Sequence, residues 1–205
     1  MTFVLGLTGS IGMGKSATAG MFRALGIPVW DADMAVHALY RGHAAPLVEE
    51  AFPGTVEDGS VDRTKLATFV LNDPAAMKRL EAIVHPLVRE DEEAFLRAAR
   101  ERRDRLVVLD IPLLYETDGR HRVDMVAVVT APADIQRERV LSRPGMTEEK
   151  FEKILAKQVP DDRKRQMADF VIDTGQGMDA AEQAVADIIE KLTGERPRRG
   201  AAPAG

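Results

Sequence analysis

The chain has 205 residues, 45% of them hydrophobic, enough to bury one good core or one core with a small inserted subdomain. It holds no cysteine, which excludes a disulfide framework, a zinc–thiolate site and a thiol nucleophile. Its 28 Lys/Arg against 33 Asp/Glu leave a net charge of −5, which argues against a broad nucleic-acid surface and confines phosphate binding to a site.

The N-terminus, Met-Thr-Phe-Val-Leu-Gly-Leu-Thr-Gly, has no basic leader, and glycines interrupt the place where a signal peptide needs an apolar run. No apolar stretch approaches the roughly 20 residues that a membrane span requires. The expectation is a cytoplasmic protein without membrane or nucleic-acid partners and without an evident obligate protein partner.

Phe3-Val4-Leu5-Gly6-Leu7 reads as a buried strand, followed by a glycine-rich loop and a helix from Lys15 to Leu25 that Gly26 ends. Ile27-Pro28-Val29-Trp30 reads as a second strand delivering Asp31-Ala32-Asp33 at its C-terminal end, where ligands sit in open parallel sheets. From about Ala35 to Arg103 the pattern is mostly helical and too long for a simple crossover. Within it Asp73-Pro74 starts a helix. Leu80, Ile83, Val84, Leu87 and Val88 keep helical spacing across His85-Pro86, where a kink or a break into two helices is expected.

Leu106 to Leu109 and Met125 to Val129 are continuous apolar runs of the kind found in strands buried on both faces. Helices are expected from Gln136 and, capped by Thr147, over Phe151, Ile154 and Leu155. Residues 136–165 hold nine Lys/Arg and six Asp/Glu, a local excess of three positive charges, which suits a lid over phosphates. Phe170-Val171-Ile172 reads as a last strand, and Val185, Ile188, Ile189 and Leu192 as the apolar face of a last helix. The expected fold is a three-layer α/β P-loop domain of nucleotide-kinase type with a parallel sheet. Residues 1–34 and 104–194 form its core, 35–103 a helical insertion, 136–165 the lid and 195–205 a disordered tail.

Gly9-Ser10-Ile11-Gly12-Met13-Gly14-Lys15-Ser16 matches Gly-x4-Gly-Lys-Ser between a strand and a helix, the context a phosphate-binding loop requires. Gly9, Gly12, Met13, Gly14, Lys15, Ser16 and Ala17 are the expected ATP-binding residues. Lys15 reaches the β/γ oxygens, and the Ser16 hydroxyl suits Mg²⁺. Asp33 can orient an acceptor hydroxyl or accept its proton, or Asp31 or Asp33 can simply cap a helix. Asp110, ending the third strand, suits the magnesium shell or a turn. Arg139 and Arg143, four apart, can share a helix face toward a polyphosphate or form an exposed ion-pair face. His85 and Arg89, also four apart, can together hold an anionic part of an acceptor, though His85 alone suits a structural role.

Taken in order, the loop, Asp31-Ala32-Asp33, Leu80-Glu81-Ala82-Ile83-Val84-His85-Pro86-Leu87, Asp110-Ile111-Pro112-Leu113-Leu114-Tyr115-Glu116 and Gln136-x-x-Arg139-x-x-x-Arg143 make the chain resemble the dephospho-CoA kinase family over residues 3 to 193. The resemblance implies ATP- and Mg²⁺-dependent phosphorylation of the ribose 3′-hydroxyl of dephospho-CoA, the last step of coenzyme A synthesis. It makes Asp33 the catalytic base, with Lys15 and Arg143 as further catalytic groups and Arg139 and Arg143 as lid arginines. His85, Arg89, Asp110, Pro112, Leu113 and Leu114 fall in the acceptor region. Ser10, Met13, Ala17 and Tyr115 depart from the family's commoner residues without removing a group the mechanism needs; Tyr115 adds a hydroxyl that wants solvent or a partner.

Two other readings differ in class. A regulatory P-loop switch of the GTPase kind would resemble Asn-Lys-x-Asp, yet the chain's single asparagine, Asn72, precedes Asp73-Pro74. A nucleoside or nucleotide kinase of the same fold would differ only in its acceptor.

Overall fold

The computed structural model describes residues 1–197, which fall into two compact units: Met1–Trp30 with the chain from Ala99 onward, and Asp31–Ala98. In the first unit, β1 (Phe3–Thr8), β5 (Leu106–Asp110), β6 (Met125–Thr130) and β7 (Phe170–Asp173) join β2 (Val29–Asp31) in a sheet of order β2-β5-β1-β6-β7. β1 runs parallel to β5 and β6, with Leu5 opposite Val108 and Met125, and β6 runs parallel to β7. β1 is thus central, which explains its unbroken apolar run: both faces are covered.

Side chains alternate along it as a pleat requires. Leu5 and Leu7 pack with Met21 and Phe22 of α1 (Lys15–Ala24) and with Val185, Ile188 and Ile189 of α9 (Met178–Thr193). Gly6, facing the other way, lies under Leu114 and Val123. Three further helices complete this unit: α6 (Ala133–Leu141), α7 (Glu148–Leu155), capped by Thr147 as expected, and α8 (Asp161–Met167). Of the expected tail, residues 198–205 lie outside the described residues; Glu195 pairs with Arg105, and Arg196 with Asp187 and Glu190.

The second unit holds α2 (Ala32–Tyr40), α3 (Ala44–Ala51), α4 (Arg63–Val70) and most of α5 (Pro74–Glu101) around its own core of Val48, Phe52, Leu66, Val70, Leu80 and Val84. The region is mostly helical, as its pattern predicts, with one element that the pattern did not show. A short antiparallel hairpin, β3 (Val56–Glu57) with β4 (Ser60–Val61), interrupts the helices. Its turn is Asp58-Gly59, both at positive φ, the dipeptide such tight turns favour. Of the kink or break expected at His85-Pro86, the break is absent, since α5 continues through Pro86. Glu81, Ala82, His85 and Pro86 are exposed, so water can solvate the carbonyl of Ala82 that the proline leaves without a donor.

Glu49 of α3 ties the hairpin down. Its carboxylate accepts the N–H groups of Gly54 (2.7 Å) and Val56 (2.8 Å), and the Gly54 bond foremost holds its pKa below the ordinary 4.5. A depressed carboxylate contributes stability that is complete above 4.5 and lost as pH falls through the folded-state value. Urea midpoints of the wild type and Glu49→Gln should therefore differ at pH 7 and converge on acidification below 4.5. A gap that stayed constant to lower pH would overturn this role.

Candidate active site

Between β1 and α1 the chain makes a loop that only glycine can follow at two points. Gly12 and Gly14 sit at φ 80° and 92°, conformations that side chains rarely adopt. They also have no room: an added Cβ at Gly12 would lie 2.5 Å from Val140 Cγ2, and one at Gly14 3.0 Å from Thr174 Oγ1. At Gly9 it would meet the Val129 carbonyl oxygen at 2.7 Å. The loop is therefore pressed against the ends of β6, α6 and β7. Gly14 is the N-cap of α1 and offers no side-chain oxygen, so the N–H groups of the first helical turn remain open to an anion, favoured by the helix dipole. Ser16 and Ala17, in that turn, are exposed.

Polar groups from distant parts of the chain hold this loop. Thr174, just past β7, donates its hydroxyl to the Met13 carbonyl at 2.8 Å and accepts from Arg139 Nη1 at 2.7 Å; Arg139 Nη2 also donates to the Thr174 carbonyl at 3.0 Å. Gln136 Nε2 donates to the Ile11 carbonyl at 2.7 Å, and Gln158 Oε1 accepts the Ile11 N–H at 3.1 Å. Ala131 N–H points to Met13 Sδ at 3.1 Å. Sequence reading missed Thr174 and Gln158 and saw Gln136 only as part of a spacing. Their partners are 161, 147 and 125 residues away, and the one local signal, that Thr174 is a polar residue directly after a strand, is common to many turns.

Lys15 begins α1 and reaches across the end of β5, where its Nζ lies 2.5 Å from Asp110 Oδ1. Asp110 is 1% exposed, and a carboxylate so buried needs a counter-charge. Lys15 supplies one. The structure thus brings together Lys15, Asp110, the loop and Arg139.

Arg143 is placed differently from the sequence expectation. α6 ends at Leu141 with Ser142 as its C-cap, whose hydroxyl donates to the Arg139 carbonyl at 3.0 Å, and Pro144 disfavours helix at Arg143. The two arginines therefore do not share a helix face. Arg139 is anchored to Thr174, whereas Arg143 is exposed in the α6–α7 turn and has no side-chain partner among the described residues.

After β5 the chain turns through Pro112, whose carbonyl accepts from Thr8 Oγ1 at 3.1 Å. Leu114 is fully buried on Gly6 and Gly119, so its side chain is part of the core rather than a surface for a ligand; Leu113, 42% exposed, remains open to one. The Tyr115 hydroxyl finds its partner in the Met167 carbonyl at 3.0 Å.

In the second unit, Asp31 rather than Asp33 caps α2, its Oδ1 accepting the Met34 N–H at 3.0 Å. That leaves Asp33, in the first turn, exposed and without a side-chain partner among the described residues. Asp33 lines a cleft of about 600 Å³ with Val36, Tyr40, Arg63, Leu66 and Leu80. The Arg63 guanidinium lies 5.4 Å from the centre of the Tyr40 ring. Burial raises the Tyr40 pKa, with Arg63 partly opposing it, so the phenol stays a neutral donor. His85 and Arg89 are exposed on successive turns of α5.

No cluster of three or more His, Cys, Asp or Glu able to hold a metal exists among the described residues. The oxygen donors of Ser16 and Asp110 nevertheless fit a hard divalent cation that takes its remaining ligands from nucleotide phosphates and water. Among the described residues no helix is long and apolar enough to cross a membrane.

Comparison with known proteins agrees with this fold. The family described as CoaE, dephospho-CoA kinase, matches residues 3–179. A dephospho-CoA kinase of Mesorhizobium japonicum is 66% identical over 193 residues, covering 94% of this chain and 98% of that protein. A crystal structure of a Thermus thermophilus protein superposes with a TM-score of 0.80 at 34% identity, over 94% of this chain and 98% of the other. The fold is also that of the dephospho-CoA kinase from Campylobacter jejuni, with a TM-score of 0.67 at 22% identity over 95% and 99% of the two chains.

Proposed function

The chain belongs to the dephospho-CoA kinase family, and on that premise we propose how its residues transfer a phosphoryl group from ATP to the ribose 3′-hydroxyl of dephospho-CoA in coenzyme A synthesis. The observation that carries the reading is Lys15: a lysine at the end of an intact phosphate-binding loop, held by a buried carboxylate at 2.5 Å that a triphosphate can replace.

The phosphates of ATP take the open N–H groups at the start of α1 and the glycine-lined turn from Gly9 to Gly14. Lys15 exchanges Asp110 for the β/γ oxygens. Ser16 and Asp110 would hold Mg²⁺, which supplies charge neutralisation along the polyphosphate. The ribose hydroxyl attacks the γ-phosphorus, the bond to the bridging β/γ oxygen breaks, ADP leaves, and Asp33 takes the hydroxyl proton. Arg143 meets the charge that develops on the transferred group. Arg139 acts through the loop wall.

Asp31–Ala98 is the acceptor unit in this scheme. His85 and Arg89 serve anionic parts of dephospho-CoA, while Pro112 and Leu113 present backbone and apolar surface to it. The protein works in the cytoplasm, with no requirement for nucleic acid, membrane or a protein partner.

ADP release should be measured with ATP and Mg²⁺, with and without dephospho-CoA, alongside product mass. Stimulation, with a product heavier by one phosphoryl group, is expected. ATP turnover that responds to a nucleoside monophosphate but not to dephospho-CoA would overturn the acceptor.

A further inference from the structure

The turn between α7 and α8 and the helix α6 grip the loop at one residue. Gln158 takes the Ile11 N–H at 3.1 Å while Gln136 of α6 takes the Ile11 carbonyl at 2.7 Å. Both backbone groups of Ile11, midway along the loop, are thus held by side chains from elsewhere.

What fixes Gln158 lies one residue on. Val159 N–H donates to Glu116 Oε1 at 2.9 Å, and Lys164 Nζ of α8 lies 2.8 Å from that same oxygen. Asp161, in the first turn of α8, accepts from Thr130 Oγ1 at the end of β6 at 2.7 Å. Lys164 is 0% exposed and its ammonium is paired with Glu116, while Glu116 Oε2 and Asp161 Oδ1 are buried without a hydrogen-bond partner among the described residues.

Such a cluster is costly. A buried lysine–carboxylate pair with unsatisfied atoms gives no more stability than apolar side chains of similar volume, and often less. What it does supply is a fixed location for Val159, and through the backbone for Gln158.

We propose that Glu116 and Lys164 are positioning residues for nucleotide binding, and that they act by placing Gln158, which holds the Ile11 peptide and keeps the loop in its phosphate-accepting form before ATP arrives. The inference rests on the reading above that this loop holds ATP. A preordered loop gives up less conformational freedom on binding, so affinity rises without any direct contact to the nucleotide.

A double-mutant cycle read by ATP titration without acceptor tests it. Gln158→Met keeps side-chain length and removes the acceptor; Glu116→Leu with Lys164→Met replaces the pair by apolar groups and leaves no buried charge behind. Each should weaken ATP binding about 3- to 10-fold, the worth of one net hydrogen bond. The three changes together should weaken it no further than Gln158→Met alone, because they act through one contact. The KM for dephospho-CoA should hold, and the melting temperature of the Glu116→Leu/Lys164→Met variant should match or exceed the wild type.

Wild-type affinity in Gln158→Met, or losses that simply add, would overturn the proposal. Failure of the wild type itself to bind ATP would instead overturn the nucleotide reading on which it stands. If the Glu116→Leu/Lys164→Met variant does not fold, Gln158→Met alone decides.

Discussion

Asp33→Asn will bind ATP as the wild type does and transfer phosphoryl groups about 10²- to 10⁴-fold more slowly, the range by which a positioned acid or base accelerates proton transfer. The two outcomes separate because of where Asp33 sits. Asp31 already caps α2 through Met34 N–H at 3.0 Å, so the substitution at Asp33 breaks no cap and removes only a first-turn charge from the helix dipole. The isosteric amide keeps the volume and polarity of the residue while removing its ability to take a proton. Calorimetric titration should return an unchanged ATP affinity, and single-turnover kinetics should show the loss in the chemical step. Near-wild-type turnover would remove Asp33 from the role of base.

Lys15→Met should act on two properties at once. Losing the group that meets the β/γ oxygens should lower kcat/KM by about 10²- to 10³-fold, the range for one preorganised charge stabiliser. It also removes from Asp110, 1% exposed, the counter-charge that lies 2.5 Å away, which should cost about 1–3 kcal/mol of folding stability in denaturant melts. Adding Asp110→Asn removes the buried negative charge that the lysine had balanced, so the double variant should regain most of that stability and none of the activity. Recovery of both together would mean that Lys15 serves only to neutralise Asp110. Loss of neither in the single variant would remove Lys15 from the site.

How much of this was legible depended on the range of the forces involved. β1, β5 and β6 announce themselves because burial on both faces leaves an apolar run such as Leu106 to Leu109, and the phosphate loop because its glycines meet a local backbone need. Asp73 as a cap is local too, its Oδ1 taking the N–H groups of Ala75 and Ala76 at 2.8 and 3.0 Å. The hairpin at Asp58-Gly59 carried a turn signal that the surrounding helical pattern masked. Pro86 left a kink and a break both open because a proline's effect depends on whether water reaches the carbonyl it orphans, which periodicity does not tell. Equal spacing of Arg139 and Arg143 suggested equal roles, but Pro144 ends the helix between them. Thr174, Gln158 and the Glu116–Lys164 pair stayed hidden because each contact joins residues that only the folded chain brings together.

The loop's glycines carry a consequence for how this gene can drift. At Gly12 two independent obstacles coincide, a φ of 80° and a Cβ that would meet Val140 Cγ2 at 2.5 Å. Shrinking Val140 would clear the steric obstacle and leave the backbone strain untouched, and no change at a neighbour can repair both. A lineage that loses this glycine therefore has no single-step suppressor open to it, and reversion is the only short route back.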